Sequence, residues 1–242
     1  MINPKIKEKI VLALDVETFE EAVKLVDELS PYVGTFKVGL QLYTGFGNEI
    51  INYIKEKNSN FFLDVKLMDI PNTVKKASEN IVLRGANFYN VHALGGLEMM
   101  KQSREGALNS AQKMGKNPPL ILAVTVLTSI SQNVLDNEIK VDKKVNELAI
   151  NLAKLAKEAG LDGVVASVHE LEAIKEACGK DFKVLCPGIR PEWSLKDDQQ
   201  RIATPKTAIQ KGADFLVIGR AVTSAPDRVE AMKKIYEEIG EI

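Results

Sequence analysis

Eight short apolar runs, each followed by a longer amphipathic stretch, limit the folds open to this chain. The first four are "IVLALD" (Ile10–Asp15), "TFKVGL" (Thr35–Leu40), "FFLDVKL" (Phe61–Leu67) and "FYNVHA" (Phe88–Ala93). "LILAVTVL" (Leu120–Leu127), "GVVAS" (Gly163–Ser167), "KVLCPGI" (Lys183–Ile189) and "FLVIGRA" (Phe215–Ala221) follow. Their hydrophobicity is continuous rather than alternating, the pattern of parallel strands covered on both faces. Between them the apolar residues recur at helical spacing. Phe19, Ala22, Val23, Val26 and Leu29 trace one such face, and Val145, Leu148, Ala149, Leu152, Leu155, Ala156 and Ala159 trace another. Gly85 and Gly160 stand where helices should end, and Pro71 stands near the start of one. Eight strand–helix repeats in 242 residues predict an α/β chain folded as a single-domain (β/α)8 TIM barrel, which typically has about 250 residues. A doubly wound open sheet is the alternative. It would usually carry a glycine-rich phosphate loop after its first strand, and "LALDVETFEEA" has none.

Charge narrows the partners. The 32 basic and 33 acidic residues leave a formal charge of −1, so no global field favours nucleic acid or an anionic membrane. An anionic ligand must therefore be held by local groups. No apolar run approaches the roughly 18 residues of a membrane-spanning helix, and the opening "MINPKIKEKI" has no secretory apolar core. Cys178 and Cys186 match no paired-cysteine metal spacing. The expectation is a cytoplasmic protein with a small-molecule ligand.

In such a barrel the site lies at the C-terminal ends of the strands. Those ends carry Asp15, Lys37, Asp64 and Lys66, with Asp69 in the following loop. His92 ends the fourth run, Thr128 and Ser129 follow the fifth, Arg190 follows the seventh, and Gly219 and Arg220 end the eighth. Asp64 and Lys66 are two apart, which in an extended strand points both side chains inward. Ionised groups there must be paired, and Lys37 on the neighbouring strand is placed to reach the same layer. Such a cluster serves either as a structural ion-pair network or as catalytic machinery. "PGIR" and "IGRA" together suggest a phosphate site, with Arg190 and Gln199 flanking the polar, lid-like "PEWSLKDDQ".

The pattern Asp64, Lys66, Asp69, Ile70 and Thr73 resembles the signature of the orotidine 5′-phosphate decarboxylase family. "LALD", "FKVG", "TVLTS", "PGIRP" and "IGRA" are similar to that family in the same order along nearly the whole chain. The resemblance implies a homodimer that converts orotidine monophosphate to uridine monophosphate with no metal or organic cofactor. It implies Lys66 as the proton donor to C6 of the pyrimidine and Asp64 beside the substrate carboxylate. Asp69 and Thr73 would enter the partner's site, and Asp15 and Lys37 would hold the ribose. Thr128 and Ser129 would meet the pyrimidine. Arg190, Gln199, Gly219 and Arg220 would bind the phosphate, with Pro187–Arg201 as the closing lid. The competing readings are a metal-dependent sugar-phosphate decarboxylase or hexulose-phosphate synthase of the same superfamily, and a non-catalytic nucleotide-phosphate sensor. His92 is expected to make a structural hydrogen bond, His169 to lie at the surface or cap a helix, Trp193 to pack at the lid, and Cys186 to fill the core.

Overall fold

A computed structural model of the chain describes residues 2–194 and 203–240. Helix α1 (Pro4–Lys7) precedes β1 (Ile10–Ala13), and α2 (Phe19–Leu29), β2 (Thr35–Gly39) and α3 (Leu40–Glu56) follow. Next come β3 (Asn60–Leu67), α4 (Pro71–Leu83), β4 (Phe88–His92), α5 (Gly96–Lys113) and β5 (Leu120–Val124). Short α6 (Gln132–Val134), then α7 (Val145–Glu158), β6 (Gly163–Val165), α8 (Leu171–Cys178) and β7 (Lys183–Cys186) continue the alternation. The chain finishes with α9 (Pro205–Gln210), β8 (Phe215–Ile218), α10 (Arg220–Thr223) and α11 (Arg228–Ile239). The strands pair in the order β1 to β8 and close into a barrel. The open-sheet alternative is thereby excluded.

By packing, the chain divides into two compact units, one of Met1–Asp64 with Cys186–Ile242, the other Val65–Leu185. In the first, β1 pairs in parallel with both β2 and β8, and β2 pairs with β3 from Thr35↔Asn60 to Gly39↔Asp64. Helix α2 begins where Thr18 accepts the Glu21 N–H at 3.2 Å, and it buries Ala22, Leu25, Val26 and Leu29. Phe19 and Val23 of the expected face are only half-buried, and Leu25 takes a place in it.

In the second unit β4 pairs with β5, β5 with β6 and β6 with β7, all in parallel. Pro71 opens α4 at its first position, where the missing N–H is no loss, and Gly85 follows its end at φ 82°. Helices α4 and α5 approach closely at Gly106, where a Cβ would stand 2.5 Å from the Lys75 carbonyl oxygen. A chain of buried hydroxyls joins the layers there. Ser78 and Ser103 are 2.8 Å apart, and the Tyr89 hydroxyl from β4 lies 2.9 Å from Ser103. Burial pushes the Tyr89 phenol up to about 12, so it keeps its proton and stays a donor.

Most strands end sooner than the apolar runs. β1 stops at Ala13, β5 at Val124 and β8 at Ile218, although Leu14 and Val126 beyond them are buried. Hydrophobicity records burial, and residues that turn out of a parallel ladder can remain buried beyond it.

Candidate active site

In the first unit the polar residues at the strand ends converge on one cation. Lys37, buried on β2, places its Nζ 3.0 Å from Asp15 Oδ1 and 3.4 Å from Asp64 Oδ2. The two carboxylates differ in surroundings. The Asp64 side chain is 14% exposed and that of Asp15 is 53% exposed, because Asp15 lies in the loop beyond β1. A buried ammonium is tolerated only with opposite charge beside it, and here the nearer, wetter carboxylate shares that task with a drier one. Gly39 makes the arrangement sterically possible. Two residues along β2 from Lys37, it shares that residue's face, and a Cβ there would stand 2.8 Å from Lys37 Nζ and 3.1 Å from Asp15 Oδ1.

The other predicted anion-binding groups of this unit lie after β7 and β8. Arg190 is 5% exposed, and its backbone N–H donates to the Ala203 carbonyl at 2.9 Å, next to a parallel bridge between Ile189 and Ala203. Gly219 precedes α10, and Arg220 opens that helix with an exposed side chain. Gln199 and the later part of the expected lid lie outside the described residues. Within the described part of that expected segment, a 3-10 turn at Glu192–Ser194 is held by the Glu192 N–H donating to Glu238 Oε2 at 3.2 Å. Trp193 there is half exposed, with the Lys234 ammonium 6.0 Å from its ring centre.

Lys66 belongs to the second unit, and its backbone departs from the strand. Its φ of 51° lies in the left-handed region, where a non-glycine residue stores strain of about 1–3 kcal/mol. The same-face expectation for Asp64 and Lys66 presumes extended backbone, and β3 does not keep that geometry at Lys66. The lysine is instead engaged from β4. Its N–H donates to Asn90 Oδ1 at 2.8 Å, and Asn90 is fully buried. His92, two residues further along β4, accepts the Leu94 N–H at Nδ1, 3.3 Å away. This is the structural hydrogen bond expected of it, and it leaves the proton of the neutral ring on Nε2. Burial first, and then the charge of Lys66, hold the His92 imidazole below its ordinary value. Sequence reasoning missed Asn90. The available signal was a lone amide inside an otherwise apolar strand, since a buried carboxamide must find partners.

Asp69 and Thr73 are exposed, in the loop after β3 and the first turn of α4. Asp69 Oδ1 accepts the Ile70 N–H at 2.6 Å, and exposed Met68 and Ile70 flank it. Thr128 is half-buried and Ser129 exposed in the loop beyond β5. His169 is exposed in the turn before α8, and Cys186 is buried. Among the described residues, no helix is long and apolar enough to cross a membrane.

Comparison with known proteins agrees with this architecture. The chain is 51% identical to orotidine 5′-phosphate decarboxylase of Syntrophomonas wolfei over 236 residues, spanning 97% of this chain and 99% of that one. It is 45% identical to the enzyme of that name from Heliobacterium modesticaldum, spanning 97% of each. Among solved structures, orotidine 5′-phosphate decarboxylase from Lactobacillus acidophilus superposes with a TM-score of 0.84 at 37% identity, covering 95% of this chain and 98% of that one. A model of the family described as orotidine 5′-phosphate decarboxylase / HUMPS matches residues 8–235. A closed eight-stranded barrel, an Asp15–Lys37–Asp64 cluster and a match of this extent place the chain in the orotidine 5′-phosphate decarboxylase / HUMPS family.

Proposed function

We propose that this protein decarboxylates orotidine 5′-monophosphate to uridine 5′-monophosphate, the last step of de novo pyrimidine synthesis, in the cytoplasm and with no metal or organic cofactor. The observation that carries the reading is Lys37 held between Asp15 and Asp64 in a chain whose full-length relatives bear that enzyme's name. Loss of CO2 leaves the C–C bonding pair on C6, and the ring delocalises it poorly. The step needs a cation close to C6 that can also deliver a proton, and Lys66 supplies both. The proton passes from its ammonium to C6, and water returns one to the amine. Asp64 faces the substrate carboxylate. Two like charges about 4 Å apart repel by about 4 kcal/mol at an effective dielectric of about 20, and the repulsion vanishes as CO2 departs.

Remote binding must hold the substrate against that repulsion. Asp15 and Lys37 hold the ribose hydroxyls, and Thr128 and Ser129 meet the pyrimidine. Arg190, Gln199, Gly219 and Arg220 hold the phosphate, with Pro187–Arg201 closing over it. Asp69 and Thr73 serve the site of a second copy in a homodimer. Exposed Met68 and Ile70 beside Asp69 support this, since they offer apolar surface for that copy to cover.

The competing reading is a sugar-phosphate decarboxylase or hexulose-phosphate synthase of the same superfamily, which is expected to need magnesium. One assay separates the readings. Purified protein in a chelator should consume orotidine monophosphate, followed by its absorbance, and Lys66→Ala should abolish turnover while leaving uridine monophosphate affinity within about tenfold. No turnover until magnesium is added would refute cofactor independence. Undiminished turnover by Lys66→Ala would refute its role as proton donor.

A further inference from the structure

Lys66 stands in a conformation that its own side chain does not favour. Asparagine and aspartate tolerate left-handed φ through local hydrogen bonds, and lysine has no polar group close enough to its backbone to do so. Such a residue persists only where its surroundings hold it. The β2–β3 register ends at Gly39↔Asp64, two residues short of Lys66. The Lys66 N–H goes instead to the Asn90 side chain at 2.8 Å.

Asn90 is well placed for that task. Its main chain is fixed in the ladder opposite Leu122 of β5. Tyr89, one residue earlier, sends its hydroxyl to Ser103 on α5, so alternation puts Asn90 and His92 together on the other face of β4. Two residues of one strand face thus engage Lys66, Asn90 at its backbone and His92 at its charge. The residue type matters as well. An aliphatic side chain would leave the Lys66 N–H without this acceptor, and a carboxylate would put another buried charge next to the proton donor.

We infer that Asn90 is a positioning residue, anchoring the left-handed backbone of Lys66 and thereby aiming its ammonium at the reacting carbon. The inference rests on Lys66 being the proton donor in decarboxylation of orotidine monophosphate.

The test compares wild type, Lys66→Ala, Asn90→Ala and Asn90→Asp for turnover of orotidine monophosphate and affinity for uridine monophosphate. Asn90→Ala should lose about 10- to 100-fold in kcat while uridine monophosphate affinity changes by less than about threefold. Asn90→Asp, which keeps an acceptor oxygen in place, should recover part of that loss. A kcat for Asn90→Ala within about threefold of wild type overturns the inference. So does a kcat loss matched by an equal loss of affinity and unrelieved in Asn90→Asp. If Asn90→Ala fails to fold, amide exchange in 15N-labelled wild type decides. The Lys66 N–H should exchange at least about 100-fold more slowly than in an unfolded chain, and exchange at the unfolded-chain rate overturns the anchor. Failure of the underlying reading looks different: wild type shows no turnover, or Lys66→Ala keeps it.

Discussion

Replacing Lys37 with methionine separates what its ammonium does for each of the two carboxylates. Methionine keeps much of the lysine stem's length and volume, so little cavity energy enters the comparison. At 3.4 Å, the Lys37–Asp64 attraction is about 5 kcal/mol at an effective dielectric of about 20. Distance alone would rank Asp15, at 3.0 Å, slightly higher. Exposure reverses the order. The Asp15 side chain is 53% exposed, and an ion pair with that much solvent contributes about 1 kcal/mol or less. Asp64 is only 14% exposed, and deleting one partner of a buried pair typically destabilises by about 3–5 kcal/mol, since the other charge stays buried. Lys37→Met should therefore lower unfolding free energy by about 3 kcal/mol or more, read from urea denaturation with an unchanged slope. Double-mutant cycles then apportion the loss. Coupling of Lys37 to Asp64, probed with Asp64→Asn, should be about 2 kcal/mol or more, and coupling to Asp15, probed with Asp15→Asn, about 1 kcal/mol or less. The reasoning is refuted if the Asp15 coupling equals or exceeds the Asp64 coupling, or if Lys37→Met destabilises by less than about 1 kcal/mol.

His92 and the proposed sharing of the site between two copies supply two more tests. Because the folded imidazole is held below its ordinary value of 6.5, the unfolded chain binds the extra proton between the depressed folded value and 6.5. Stability should accordingly be level above that window and fall as pH drops through it; His92→Gln should flatten the slope of urea midpoints with pH, and an unaltered slope would count against the depressed imidazole. Mixing inactive Lys66→Ala with inactive Asp69→Ala subunits should restore about a quarter of wild-type activity, because random pairing rebuilds one intact site in half of the dimers. If heterodimers form and stay inactive, Asp69 does not act across the interface.

The barrel was legible because burial on both faces writes a parallel strand as an uninterrupted apolar run. The same property blurred where strands stop, as Leu14 and Val126 stay buried beyond the ends of their ladders. Lys37 was placed correctly at the layer of Asp64, since both sit in regular backbone where period-two reasoning holds. Lys66 was identified by chemistry and motif, but its geometry was not readable. A lysine carries no mark of left-handed φ, and the acceptor that anchors it comes from a strand more than twenty residues later, as Asn90. Gly39 was visible as part of "FKVG", yet its reason, room for the Lys37 ammonium, appears only once side chains are placed.

The division of the chain at Asp64 and Val65 bears on how such an enzyme diversifies. Lys66, its backbone anchor Asn90 and its electrostatic neighbour His92 all come from one uninterrupted stretch of gene. Asp15 and Lys37 are encoded before it, and Arg190, Gly219 and Arg220 after it. A single recombination cassette spanning 65–185 therefore carries Lys66 together with Asn90 and His92 between relatives. Asp15, Lys37 and Asp64, with Arg190, Gly219 and Arg220, stay behind with the recipient, so the Lys37 ion-pair cluster and the Lys66 anchor can be inherited separately.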